Sequence, residues 1–91
     1  MRARLVCTVI QGDPPFAFAW MKDGSLLDPS TLNLSVRTYD FSSDLSFPRV
    51  TTIHNGNYTC IVNNDVAYAQ HTSSLTVDGL LITFIIYLAI L

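Results

Sequence analysis

Apolar and polar residues alternate along most of this chain with a period of two, the pattern of strands that bury one face. Leu5, Cys7 and Val9 share one side of residues 3–10, with Thr8 on the other. The loop Gly12-Asp13-Pro14-Pro15 follows, because two prolines cannot donate to a ladder. Residues 16–22 predict a second strand with Phe18 and Trp20 on one face, closed by the turn dipeptide Asp23-Gly24. Over residues 31–38, Leu32, Leu34 and Val36 alternate with Thr31, Asn33, Ser35 and Arg37, which predicts a third strand with Leu34 and Val36 in the core. Residues 44–50 carry Leu45 and Phe47 in step before Pro48 disturbs the ladder. Residues 57–62 set Tyr58, Cys60 and Val62 on one face, Asn63-Asn64-Asp65 turns the chain, and residues 67–77 return with Leu75 and Val77 inward. Short strands at this spacing, with turn chemistry between them, predict an all-β sandwich or barrel. No stretch before residue 80 has a helical period, and there is no internal repeat.

Composition narrows the picture. Ninety-one residues make one small domain, near the size where a hydrophobic core benefits from a covalent staple. Only 13% of residues are charged and the net charge is −2, with no basic stripe to neutralise phosphates, so nucleic acid is not an expected partner. All seven acidic residues are aspartates, which favour turns and caps over helices. Near the start, Met1-Arg2-Ala3-Arg4 precedes the apolar run Leu5–Ile10, but that run is too short for a signal peptide and Gln11-Gly12-Asp13 ends it without a small-residue cleavage site. At the other end, Gly79 is followed by LLITFIIYLAIL, twelve uncharged residues. A membrane-spanning helix takes about twenty. Residues 80–91 are therefore expected to be a short apolar tail: a truncated membrane segment, a gene-model read-through or, less well supported, a glycolipid-anchor signal. The tail is also the one candidate for membrane association.

Catalytic chemistry is not indicated. His54 and His71 lie on a corner and a late strand, with no spacing that sets a base beside a nucleophile, and both read as structural surface histidines. Two distant histidines do not make a metal site, both cysteines are better used in a disulfide, and no glycine-rich phosphate loop is present. Neither enzyme activity, nor a cofactor, nor a metal is expected.

The remaining signals converge. Cys7 and Cys60 lie on inward faces of an early and a late strand, with Trp20 between them in sequence. Facing strands of two packed sheets can be joined by a disulfide with an indole filling the space beside it. Tyr58, two residues before Cys60, can turn its ring inward and bond backbone near Ile53–Asn55 through its hydroxyl. Cys7, Trp20 in FAFAWMKDG, Leu45 and Phe47 in DLSFPRV, and Gly56-Asn57-Tyr58-Thr59-Cys60 together resemble an immunoglobulin domain of the intermediate (I-set) type over residues 3–78. More narrowly, VIQGDPPFAFAWMKDG and SDLSFPRVTTIHNGNYTC resemble the Down syndrome cell adhesion molecule (Dscam) family, especially its arthropod members. The resemblance implies a two-sheet Greek-key sandwich, a Cys7–Cys60 disulfide, and a core built on Trp20, Leu45, Phe47 and Tyr58.

Two departures from the I-set pattern stand out. An aspartate commonly found four residues before the tyrosine, where it pairs with an arginine near Arg37, is here His54, so that salt bridge is expected to be weak or absent. The chain also lacks the family's strand A and starts at its strand B, which leaves a ladder edge open and Val6 and Ile10 on the outer face. Residues 1–79 are thus expected to form the domain from strands B to G, as a fragment or a gene model missing its first exons.

Two sequons, Asn33-Leu34-Ser35 and Asn57-Tyr58-Thr59, make Asn33 and Asn57 candidate N-glycosylation sites, Asn33 on the outward side of an edge strand and Asn57 on an outer sheet face. The Dscam resemblance implies extracellular, cell-surface adhesion by pairing with the same domain on another chain, in the service of neurite self-avoidance and axon guidance. Candidate contact positions are Thr31–Thr38 and Val66–Ser74. The alternatives are a secreted or membrane immune receptor, or a spacer domain of an intracellular muscle filament protein whose cysteines stay reduced.

Overall fold

The computed structural model describes residues 2–76 and, as backbone, 82–89. Its elements in chain order are β1 (Ala3–Gln11), β2 (Ala17–Lys22), β3 (Ser25–Leu26), α1 (Pro29–Leu32), β4 (Ser35–Thr38), β5 (Ser42–Phe47), a 3-10 turn at Thr52–His54, β6 (Gly56–Asn63), β7 (Tyr68–Leu75) and β8 (Ile82–Ala89). They form two four-stranded sheets, ordered β4-β5-β1-β8 and β3-β2-β6-β7. This is an immunoglobulin-like sandwich. Within the first sheet β1 runs antiparallel to β5, with Leu5 opposite Leu45 and Cys7 opposite Ser43. In the second, β6 lies between β2 and β7, with Cys60 opposite Trp20 on one side and His71 on the other.

The period of two explains the core. Leu5, Cys7, Leu45, Phe47, Tyr58, Cys60, Val62 and Leu75 are at most 1% exposed, and each sits on the inward row of its strand. Removing a side chain such as Leu or Phe from water stabilises the fold by about 1.5–3 kcal/mol, so these rows give the two sheets their reason to pack face to face.

The structure departs from the sequence reading in four places. Residues 31–38 are not one strand: Pro29–Leu32 is a single helical turn, capped by Asp28, whose carboxylate accepts from Ser30 N–H at 3.2 Å. Asn33 ends it in the left-handed conformation, φ 53°, which asparagine tolerates better than most residues. The turn is local side-chain chemistry overriding an alternation that continues only through β4. As a result Leu34 is buried, but Val36, expected in the core, is 38% exposed.

The short strand β3 was not anticipated; two residues carry no periodicity. His54, expected at the surface, is 1% exposed. Finally, Ile82–Ala89 of the expected tail forms β8, which lies parallel to β1 from Ala3↔Ile82 to Gln11↔Ala89 with an irregularity between Val9 and Gln11. The edge of β1, expected to be open, is thereby covered. A run of apolar residues without alternation gives no hint of which strand it will join. Val77, expected inward, lies outside the described residues, and among the described residues no helix is long and apolar enough to cross a membrane.

Candidate functional site

The centre of the sandwich is a covalent and polar staple. Cys7 of β1 and Cys60 of β6 are joined by a disulfide 53 residues apart in sequence, which ties one sheet to the other. Beside it the Trp20 indole N–H donates to Ser43 Oγ at 2.9 Å, and Ser43 Oγ lies 3.0 Å from Thr38 Oγ1. Ser43 is fully buried, so this relay from β2 to β5 and β4 satisfies polar groups that would otherwise cost stability. Nothing in the sequence singled out Ser43; only the cross-sheet contact does.

A second cluster closes the corner before β6. The Tyr58 hydroxyl donates to the His54 carbonyl at 2.7 Å, within the stretch the sequence suggested. The His54 ring stands edge-on to Phe47, centroids 5.2 Å apart, and Phe47 in turn meets Tyr58 at 5.6 Å. Thr51 N–H donates to His54 Nδ1 at 3.0 Å, and Nε2 lies 2.6 Å from the Leu32 carbonyl. A carbonyl can only accept, so the ring proton resides on Nε2. His54 therefore holds α1 against the corner through uncharged hydrogen bonds, in the position where the I-set pattern commonly has an aspartate. Burial, followed by the nearby Asp23 carboxylate, pushes the Tyr58 hydroxyl up to about 12.

The turn between β2 and β3 locks onto the start of β6. Asp23 N–H donates to the Asn57 carbonyl at 2.8 Å, and Asn57 N–H returns a bond to Asp23 Oδ1 at 2.9 Å. Lys22 Nζ lies 3.0 Å from the other carboxylate oxygen. These bonds, the Asn57 backbone first and Lys22 second, hold the Asp23 carboxyl below its ordinary value of 3.8. Gly56 is required beneath it: φ is +150°, and a Cβ there would sit 2.7 Å from Asp23 Oδ2.

With the core accounted for, the outward rows can be assigned from the register. On the β3-β2-β6-β7 sheet one cross-strand row is Leu26, Met21, Thr59 and Thr72; the next is Ala19, Ile61 and Gln70; the third is Ala17, Asn63 and Tyr68. Asn57 and Ser74 continue the face at the end nearest Asp23, with Ser74 Oγ donating to Asn57 Oδ1 at 2.6 Å. Not one of these side chains is ionisable at neutral pH, and several are apolar and open to solvent, with Leu26 at 79% and Tyr68 at 70% exposed. The outer face of the opposite sheet differs, since Arg4 of β1 reaches across to a buried Asp44 of β5 at 2.5 Å.

This face gathers only part of what the sequence nominated. From Val66–Ser74 it takes Tyr68, Gln70, Thr72 and Ser74, whereas Val66 stands in the turn before β7. The Thr31–Thr38 segment is divided between α1 and β4 and belongs to the flank and the other sheet. Asn57 is exposed on the uncharged face, and Asn33 is exposed at the end of α1, away from it. His71 is exposed on β7, paired in register with Cys60. At one pole an open groove is lined by Pro14, Pro15, Phe16, Tyr39, Asp40 and Phe41, with Phe16 and Phe41 in ring contact at 5.7 Å. Among the described residues no group of three or more His, Cys, Asp or Glu is placed to hold a metal.

Comparison with known proteins agrees with this geometry. The family described as "Immunoglobulin domain" matches residues 1–64. The chain is 41% identical over 76 residues to "Cell adhesion molecule DSCAM" of Gallus gallus, a match covering 84% of this chain and 4% of the relative. It is 44% identical over 78 residues to "Cell adhesion molecule Dscam2" of Drosophila melanogaster, covering 85% of this chain and again 4% of the relative. The chain thus spans about 4% of the length of the curated relatives it matches. In structure it is similar to the Dscam1 Ig7 domain, isoform 5, with a TM-score of 0.69 over 75% of this chain and 70% of that one. The 23% identity of that pair supports the shared fold alone.

Proposed function

The chain belongs to the immunoglobulin-domain family, and from that premise we propose that it works as an extracellular, cell-surface adhesion and recognition module whose partner is the same domain on another chain. The observation that carries this reading is the open, uncharged face of the β3-β2-β6-β7 sheet. A sandwich domain can act through its faces, edges and loops. A face without charges can meet its own copy without bringing like charges together, which would oppose pairing. A two-fold contact of this kind is self-complementary by construction.

Several further points support the reading. The relatives are named as cell adhesion molecules. The disulfide suits an oxidising, extracellular setting and not the reducing one of a muscle filament spacer. Service in axon guidance and self-avoidance follows if the parent protein works as the Dscam resemblance implies.

The face is small. Four strands about 4.8 Å apart and six residues at about 3.3 Å each give a patch of about 14 by 20 Å, about 280 Å² a side and below the size of standard specific interfaces. Single pairs should bind weakly and gain strength by multivalency. The test is aggregation of beads coated with the full chain. Homotypic clumping that disappears with Ile61→Lys, which plants a charge at the centre of the face, supports the proposal. Beads that stay dispersed at high surface density, or clumping that Ile61→Lys leaves intact, would refute it.

A further inference from the structure

Both sequons lie on the described surface, yet the fold puts them to different use. Asn33 caps α1 at the flank of the sandwich, whereas Asn57 stands on the uncharged face. The Asn57 side chain turns its oxygen to the Ser74 hydroxyl, which orients the amide and leaves Nδ2 as the atom available to carry a sugar. The third sequon position, Thr59, lies in the neighbouring row of the same face, its hydroxyl 2.7 Å from that of Thr72.

We propose that Asn57 is an N-glycan acceptor and that its glycan and a second copy of this chain compete for the same sheet face. The covalent step is ordinary amide glycosylation, with a polyprenyl-pyrophosphate-linked oligosaccharide as donor. Asn57 Nδ2 attacks the anomeric carbon and the C–N bond forms. The anomeric C–O bond to pyrophosphate breaks, the lipid pyrophosphate leaves with the electron pair, and the nitrogen gives up one proton.

Size decides the consequence. A branched oligosaccharide is comparable in breadth to a patch of about 14 by 20 Å. Anchored at one end of the face, it lies over the Thr59 and Ile61 rows and keeps a second sheet from approaching. A glycan at Asn33 has no such effect. The two sequons thus separate a modification that adds solubility from one that switches self-association off. This inference rests on the homophilic reading above.

The experiment is to pass the full chain through a eukaryotic secretory pathway behind a removable leader and to map glycan occupancy by mass spectrometry. Self-association is then measured by sedimentation over a range of concentrations. Asn33→Gln leaves sugar only at Asn57, and Asn57→Gln leaves it only at Asn33; Thr59→Ala removes the Asn57 sequon while keeping the asparagine. The expected result is self-association about tenfold or more weaker in Asn33→Gln than in Asn57→Gln and Thr59→Ala. Equal association in all three, or no sugar on Asn57 in the unsubstituted chain, overturns this inference and leaves the homophilic reading standing. If no variant associates in any glycan state, both fall together.

Discussion

At the scale of single residues, the Asp23–Asn57 lock shows how a charge can support the fold from the surface. Its carboxylate is stabilised by a backbone N–H and a lysine, so the folded state binds a proton less readily than the unfolded chain does. A carboxyl whose folded value is depressed contributes stability above its unfolded value, and that contribution fades as pH falls through the folded value. Stability should therefore drop as the solution is acidified from about pH 5 to about pH 2, and Asp23→Asn should lower stability near neutrality and flatten part of that slope, the two chains converging towards about pH 2. Urea midpoints for both chains across this range check it, and parallel slopes would remove Asp23 from the account. His54 teaches the complementary lesson about legibility. Tyr58 and its inward ring could be read from the two-residue offset to Cys60, because that spacing is local. The burial of His54 depends on Leu32 and Phe47, distant in sequence, and no local pattern announces it. Ser43 was hidden for the same reason, its partner Trp20 lying on the other sheet.

At the scale of elements, strands with strict alternation were legible and those without it were not. β1, β2, β5 and β6 each carry an apolar row that one face buries, which fixes their register, whereas β7 was legible from the Asn63-Asn64-Asp65 turn before it and the inward Leu75. α1 was obscured because Asp28 and Pro29 start a turn inside an alternating stretch. β8 was obscured because ITFIIYLA is apolar on both sides, as a membrane segment also is. Backbone geometry makes its place testable. Val9 N–H donates to the Phe41 carbonyl on the β5 side, so by alternation the amides of Arg4, Val6 and Thr8 point towards β8. Val6 and Thr8 should therefore exchange slowly with solvent deuterium in the full chain. Successive amides of β8 also point to opposite sides, so of Ile85→Pro and Ile86→Pro only one removes a ladder bond. That variant should speed exchange at Val6 and Thr8 while Leu5 and Cys7, bonded to β5, stay protected. Rapid exchange at Val6 and Thr8 in the unsubstituted chain would mean that β8 does not hold this edge.

At the scale of the whole molecule, stability and function meet in the disulfide. A domain of this size buries a smaller share of its surface than a larger one does, so the core alone leaves a narrow margin. Closing a loop of 53 residues stabilises the folded chain by about 4 kcal/mol in the chain-entropy account. That compares with a total of about 5–15 kcal/mol for typical domains. The same bond holds β1 against β6, and β6 contributes Asn57, Thr59, Ile61 and Asn63 to the uncharged face. Losing it should loosen the face along with the core. Denaturant unfolding of the full chain with and without a strong reductant should show a loss of about 4 kcal/mol, or outright unfolding where the starting margin is small. Bead aggregation should decline in step as the bond is reduced. A reduced chain that unfolds at the same denaturant concentration would show that packing around Trp20 and Tyr58 is sufficient, and the domain could then serve equally in a reducing compartment. A reduced chain that fails to hold its fold ties the module to oxidising surroundings, where a partner on another cell would meet it.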